Sequence, residues 1–199
     1  MVFVRIGQQM MSAFSFDRVV RAVEAVHQRL LRSTIALELA GVRCALTDDN
    51  AVAAWVAQVD ESAVRNTPDV TILICRPDFE NVKAAMDSAG FSPQIEAHGT
   101  SFTDKPESRR GVKFYFANEQ ITPGLSATHP DPTESETIGA YRVLRISTLV
   151  NIKLKTFRDR DRLNLRDLID VGLIDQSWPA RYPAELGARL QSLLDTPGG

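Results

Sequence analysis

The densest alternation of apolar and polar positions lies between Gly41 and Arg76, where the chain reads as strand, turn, helix, loop and strand. Val42, Cys44 and Leu46 recur at every second residue, the period of a half-buried strand. Thr47-Asp48-Asp49-Asn50 then breaks the run with residue types that cap helices, and Ala51 to Val59 (AVAAWVAQV) continues as the helix. After a polar loop from Asp60 to Pro68, the run VTILIC at 70–75 is almost wholly apolar and β-branched, as expected of a strand buried on both faces. Asp69 stands at its mouth.

Upstream, Ser15 offers an N-cap, and Val19, Val23, Val26, Leu30 and Leu37 form one apolar stripe that ends near Gly41, a natural C-terminal cap. Arg18, Arg21, Arg29 and Arg32 lie mostly off that stripe and read as a solvated face. Downstream, Phe79, Val82, Ala85 and Met86 make a second helical stripe closed by Gly90. Strands follow from Ile95 to Phe102 and from Gly111 to Ala117, joined by a polar loop that contains Arg109 and Arg110. This order predicts an α/β (α+β) fold, a small mixed sheet flanked by helices. From Asn118 to Thr137 the composition shifts to Pro, Thr, Ser and Glu, which marks a loop or linker. Beyond it, Ser147 caps a helix carrying Leu149, Val150, Ile152, Leu154 and Phe157. The run RDRDRLNLRDLID then places leucines inside and ion pairs on the surface, and a last helix runs from about Pro183 to Leu194. The expected organisation is an N-terminal extension at 1–14, an α/β core at 15–120, a linker at 121–140 and a helical segment at 141–199 packed on the core.

Composition narrows the functional classes. In 199 residues, 44% hydrophobic and 24% charged, no apolar run reaches the length of a membrane span. The net charge of −2 gives no global basic field for nucleic acid. The N-terminus lacks the pattern of a secretory signal, so the expectation is a cytoplasmic protein with no membrane partner. Cys44 and Cys75 fall in neighbouring strands and read as buried reduced thiols, with a disulfide as the alternative. Neither His98 nor His129 has a partner at ligand spacing, and His27 reads as a surface or core-edge residue. No G-x-S-x-G, Walker, H-E-x-x-H or dinucleotide-binding motif is present.

The strand, turn, helix and strand from Val42 to Cys75 resemble the nucleotidyltransferase fold, the family of the minimal and toxin–antitoxin nucleotidyltransferases and of the DNA polymerase beta-like enzymes. Ala51, Ala53, Ala54 and Trp55 match the family's helix. Arg65, Thr67 and Asp69 match its Arg-x-Thr-x-Asp-x-Asp segment, and NIKLKTFRDRDRLNLRDLIDVGLID at 151–175 is similar to the helical segment after its sheet. The resemblance covers roughly residues 35–120 and 145–175. It implies an NTP as ligand, Mg2+ as cofactor if the chain is active, and Asp69 as the catalytic carboxylate. It implies nucleotide contacts from Thr47, Asp48, Asp49, Arg65, Thr67 and Lys153. It also implies a protein partner encoded by an adjacent gene, as in toxin–antitoxin or defence pairs.

Three departures bear on activity. Asp48-Asp49 replaces the glycine pair that lets backbone N–H groups approach a triphosphate, and each carboxylate at about 4 Å from phosphate repels it by roughly 4 kcal/mol at an effective dielectric near 20. Thr71 replaces the second aspartate, a poor magnesium ligand beside a carboxylate. The strand GVKFYFANEQ, where a third carboxylate is expected, has none before Glu119. Two readings follow. One is a catalytically degenerate protein acting as a binding or regulatory module. The other is an active metal-dependent nucleotidyltransferase moving NMP from an NTP to a protein, RNA or small-molecule hydroxyl. In that second case Asp69 is joined at the metal by Asp48 and Asp49, with Glu119 a distant substitute.

Overall fold

The computed structural model describes residues 2–96, 99–104, 110–124 and 126–196, as backbone only at 2–16, 19, 95, 96 and 99. Helix α1 (Val2–Leu39) leads into β1 (Cys44–Leu46), α2 (Asp48–Ala57), β2 (Val70–Ile74) and α3 (Phe79–Ser88). Then come β3 (Ser92–Glu96), β4 (Gly99–Thr103), β5 (Val112–Phe116) and a hairpin of β6 (Ser135–Ile138) and β7 (Tyr141–Leu144). Helices α4 (Ile146–Thr156), α5 (Asp159–Asp170) and α6 (Ala184–Leu194) close the chain. The seven strands form one mixed sheet in the order β3-β4-β5-β2-β1-β7-β6. The chain has the expected α/β fold.

The central pair is the one the alternation pointed to. β1 runs antiparallel to β2 with Cys44 opposite Ile74 and Leu46 opposite Ile72, and β2 runs parallel to β5 with Thr71 opposite Lys113. β2 is buried along its whole length, which explains its continuous apolar run. Because side chains alternate across a strand, Val70, Ile72, Ile74, Val112, Phe114 and Phe116 join the main core with α1, α2 and α3. Leu73 packs instead with Ala45, Leu144, Tyr115 and Ile152 on the other face. Asp69, Thr71, Lys113 and Tyr115 share the parity of Leu73. The chemistry-bearing residues therefore face away from the main core.

Several boundaries differ from the sequence reading. The first helix starts at Val2, not Ser15, whose side chain lies outside the described set. α2 starts at Asp48, three residues before Ala51, because Asp48 and Asp49 are its first turn. The strand expected from Ile95 to Phe102 is a hairpin of two strands, β3 and β4, with residues 97–98 outside the described residues. The stretch expected as linker ends in β6, and β7 falls in the segment expected to be helical: the hairpin joins the sheet edge through Leu46 opposite Val143. Polar residues in short edge strands such as SETI hide a strand from periodicity. α4 begins at Ile146 after Arg145, with no side-chain cap from Ser147.

Two of the arginines expected on a solvated face are structural. Arg29 is buried and reaches Pro68 O at 3.3 Å and Asp104 at 3.4 Å, and Arg32 stacks its guanidinium 4.4 Å from the Phe91 ring centre. They fasten α1 to the strand region beneath it. Arg18, Arg21 and Arg32 remain exposed, and only Arg29 is buried. Trp55 donates its indole N–H to Leu144 O at 3.0 Å, tying α2 to β7. Cys44 and Cys75 are free thiols, and burial, with Glu38 adding to it, pushes Cys44 up to about 11. Among the described residues no helix is long and apolar enough to cross a membrane.

Candidate functional site

Two charged clusters occupy the place where β1 ends, α2 begins and β2 starts. The first is built on Asp69. Its Oδ1 accepts the Gly111 N–H at 3.2 Å and its Oδ2 lies 2.9 Å from Lys113 Nζ. Gly111 has to be glycine here: a Cβ would stand 2.2 Å from Phe102 O. Its carbonyl also accepts the Val70 N–H at 2.9 Å, which registers β5 against β2. The parallel pairing sets Lys113 directly beside Thr71, so the ammonium reaches back one residue to Asp69.

The second cluster joins the β1–α2 turn to the helices after the sheet. Lys153 on α4 is 1% exposed and bonds Asp48, with Asp161 at 3.3 Å. Asp161 on α5 is fully buried and also takes Arg158 Nε at 2.9 Å and the Arg158 backbone N–H at 3.1 Å. Arg160 grips Asp49 through its Nε at 2.9 Å and its terminal nitrogen, and lies 3.7 Å from Asp48. Three carboxylates thus meet three cations. Burial pushes Asp161 up, but the Arg158 hydrogen bond and the Lys153 charge more than offset it and hold it below the usual carboxylate range. The bond to Asp49 raises Arg160 further above its ordinary value.

Asp48 adopts φ 53, the left-handed region that favours glycine, at the turn where the resembling family has its glycine pair. The backbone there takes a glycine-like conformation, and the side chain bonds Lys153. Thr47 is buried, donates its N–H to Thr71 O at 3.2 Å and caps α2 with its carbonyl rather than its hydroxyl. Asn50 Oδ1 accepts the Thr71 N–H at 2.7 Å. Arg65 forks onto Asp167 of α5 at 3.1 and 2.5 Å, and Thr67 donates to Asp69 O at 3.4 Å.

Of the residues named from sequence, Thr47, Asp48, Asp49 and Lys153 therefore assemble in one cluster. Asp69 belongs to a second with Lys113, and Arg65 is committed to α5. Asp48, Asp49 and Asp69 each take a cationic side chain of the chain itself. Among the described residues no group of three or more His, Cys, Asp or Glu side chains is arranged to hold a metal. The donor set at Asp69, with Thr71 and Lys113 as neighbours, does not fit a magnesium centre, which needs oxygen ligands rather than an ammonium. Glu119 lies apart, paired with Arg76 at 2.7 Å.

The sequence places Arg158, Arg160 and Asp161 in surface ion pairs; Arg158 and Arg160 are indeed exposed and paired, but Asp161 is fully buried and the partner of Arg160 lies on the β1–α2 turn. The only sequence signal of these contacts was Asp161 three residues after Arg158, at the position that reaches back over a helix start. His129, set aside in sequence for want of a partner at ligand spacing, arrives from the loop before β6 and stacks on Tyr115 with ring centres 4.6 Å apart. Both line a cavity of about 30 Å³ with Asp48, Lys153, Arg158 and Asp161, room for water and not for a bound small molecule, which needs roughly 300 Å³ or more. Burial pushes the Tyr115 phenol up and holds the His129 imidazole down to about 4. His98 and Arg109 lie outside the described residues.

No protein-family model matches the chain, and no curated protein is similar to it in sequence. Among solved structures it is similar to the solution structure of the antibiotic-resistance factor ANT(2'')-Ia, an aminoglycoside nucleotidyltransferase. That match has 12% identity and a TM-score of 0.50, covering 83% of this chain and 88% of that one. It is also similar to JHP933 from Helicobacter pylori (15% identity, TM-score 0.46, 85% of this chain and 72% of that chain). A crystal structure of ANT(2'')-Ia in complex with adenylyl-2''-tobramycin gives 12% identity and a TM-score of 0.42, over 87% and 94% of the two chains. The fold is nucleotidyltransferase-like.

Two measurements test this account of the site. Replacing Lys153 by Met leaves buried Asp161 and Asp48 without their shared ammonium, so urea unfolding should show a loss of about 3–5 kcal/mol. The double variant Lys153→Met with Asp161→Leu should recover much of it, since an apolar pair can replace a buried ion pair. His129, 7% exposed, stays neutral in the folded chain down to pH about 4, whereas the unfolded chain protonates it near its ordinary 6.5. Its contribution is therefore complete above pH 6.5 and falls away on acidification, by about 3 kcal/mol at pH 4. Stability measured from pH 7 to pH 2.5 should lose the slope above about pH 4 in His129→Phe, while the further loss from Asp161 below its ordinary 3.8 persists.

Proposed function

We propose that this chain is a nucleotidyltransferase-fold protein whose transferase chemistry has lapsed and which works as a binding or regulatory module. The single observation that carries the reading is the Lys113 ammonium 2.9 Å from the Asp69 carboxylate. Metal-assisted nucleotidyl transfer needs several carboxylates to hold divalent ions, activate the attacking hydroxyl and steady the leaving phosphate. Here the retained carboxylate faces a cation of its own chain, and the position beside it is Thr71.

The second cluster supports the same reading. An NTP approaching the turn meets Asp48 and Asp49 already neutralised by Lys153 and Arg160, so the cations that could receive phosphate are occupied. Freeing Lys153 for a triphosphate requires breaking a buried ion pair, which leaves a charge uncompensated, whereas the Arg160–Asp49 pair is half exposed. The resemblance to toxin–antitoxin nucleotidyltransferases gives the regulatory role its form, a protein partner encoded by an adjacent gene.

The test is incubation of the purified chain with each labelled NTP and magnesium or manganese, alone and with the product of the neighbouring gene. The expected outcome is no label on protein, RNA or small acceptors, together with co-purification of the two gene products. Label transfer that disappears in Asp69→Ala would overturn the reading in favour of an active enzyme.

A further inference from the structure

After β5 the chain makes a last bond to the sheet, from the Ala117 N–H to Ile74 O at 2.9 Å, and then leaves it as a small hairpin. The arms of the hairpin, residues 118–121 and 127–129, are joined by backbone hydrogen bonds: Asn118 N–H to His129 O at 2.9 Å, His129 N–H to Glu119 O at 2.9 Å and Ile121 N–H to Ala127 O at 3.0 Å. One root is Asn118 at φ 66, a conformation that non-glycine residues seldom hold. The other is Pro130, followed by the tight turn in which Asp131 accepts the Thr133 N–H at 2.8 Å. Gln120 and Thr128 face solvent, whereas Ala127 and His129 are buried and Ile121 is half-buried. Arms held by their own bonds, between roots tied to the body, can swing as one unit about Asn118 and Pro130.

The inner side of this hairpin closes the Lys153 cluster. Ile121 and His129 line the small cavity from one side, and Tyr115, Ile152, Lys153 and Asp48 line it from the other. Two contacts hold the hairpin down. Inside, the His129 ring lies on the Tyr115 ring with 23° between their planes. Outside, Glu119 takes Arg76 in a fork with both bonds at 2.7 Å, and because both side chains are half exposed this pair adds little by itself.

The inner contact is the one that responds to charge. Facing His129 are Asp48 from α2, Lys153 from α4, Arg158 and Asp161 from α5, Tyr115 from β5 and Glu119 on its own hairpin. Burial outweighs the two carboxylates Asp48 and Glu119 and keeps the shut imidazole neutral down to about pH 4, whereas a swung-out imidazole regains its ordinary 6.5. Between those values acid therefore favours the open hairpin.

We propose that the 118–129 hairpin is an acid-opened lid over the Lys153 cluster, latched inside by His129 on Tyr115 and outside by Glu119 on Arg76. Opening uncovers Tyr115, Ile152 and the Lys153–Asp48 pair. The lid governs access to that cluster and not its chemistry, so it holds for a lapsed or an active transferase alike, and an experiment that reads motion instead of label transfer leaves the two questions separate.

The experiment is NMR relaxation dispersion on the full chain at pH 7 and pH 5, observing the Ile121 methyl and the Tyr115 ring, with the core methyls of Ile72 and Ile74 as reference. A minor open state should appear at Ile121 and Tyr115 alone, its fraction rising about 20-fold from pH 7 to pH 5. His129→Phe keeps a ring on Tyr115 but carries no charge and should abolish that rise. Glu119→Gln, on the surface and outside the cavity, should raise the open fraction about two- to five-fold at both pH values and decides the matter if His129→Phe does not fold. Exchange that is absent at both pH values, that Ile72 and Ile74 share, that keeps its acid response in His129→Phe or that is unchanged in Glu119→Gln would overturn the proposal.

Discussion

A lysine ammonium removed from water dictates the arrangement around it. Lys153 is almost wholly buried, and an isolated charge in that position is costly by several kcal/mol, so it must sit among carboxylates. Asp161 supplies one from the next helix and Asp48 another from the turn after β1. Meeting that demand locks three separate parts of the chain together: α4, α5 and the start of α2. It also fixes the unusual backbone of Asp48, whose left-handed conformation is held because its carboxylate is committed to Lys153. Arg158 satisfies the rest of Asp161, and Arg160 follows one residue on to Asp49.

The sheet then divides the molecule by parity. Residues of β2 and β5 with the parity of Ile72 enter the main core, and those with the parity of Thr71 face the charged clusters. Lys113 falls on the second set, one strand from Asp69, and the two charges meet at the rim of the sheet where solvent still reaches them. Such a half-exposed pair contributes little to stability. Its importance is chemical, since it sets an ammonium against one oxygen of the Asp69 carboxylate.

The central strands and the second and third helices were legible because their patterns are local. VTILIC is buried on both faces and can hardly be anything but a central strand, and Gly41 and Gly90 end their helices with a positive φ as anticipated. The β6–β7 hairpin was not legible, because an edge strand such as SETI has too few buried positions to show a period. Arg29 was misread for a related reason: a helix face that looks polar in sequence can be the face that a neighbouring loop covers.

The candidate site divides along the same line. Sequence alone determined which carboxylates are present, Asp48, Asp49 and Asp69, and which are missing, at Thr71 and in the strand GVKFYFANEQ before Glu119, because those follow from residue identity. It also determined that Lys153 lies on a helix after the sheet. Only the tertiary structure decided what each charge pairs with. Opposite charges more than a hundred residues apart, such as Arg160 and Asp49, carry no mutual signal in sequence, and short-range rules assign such arginines to solvent. Packing α4 and α5 against the β1–α2 turn buries Lys153 and Asp161 and brings the still exposed Arg158 and Arg160 within reach of Asp161 and Asp49, which is what turns a run of surface charges into a set of pairs.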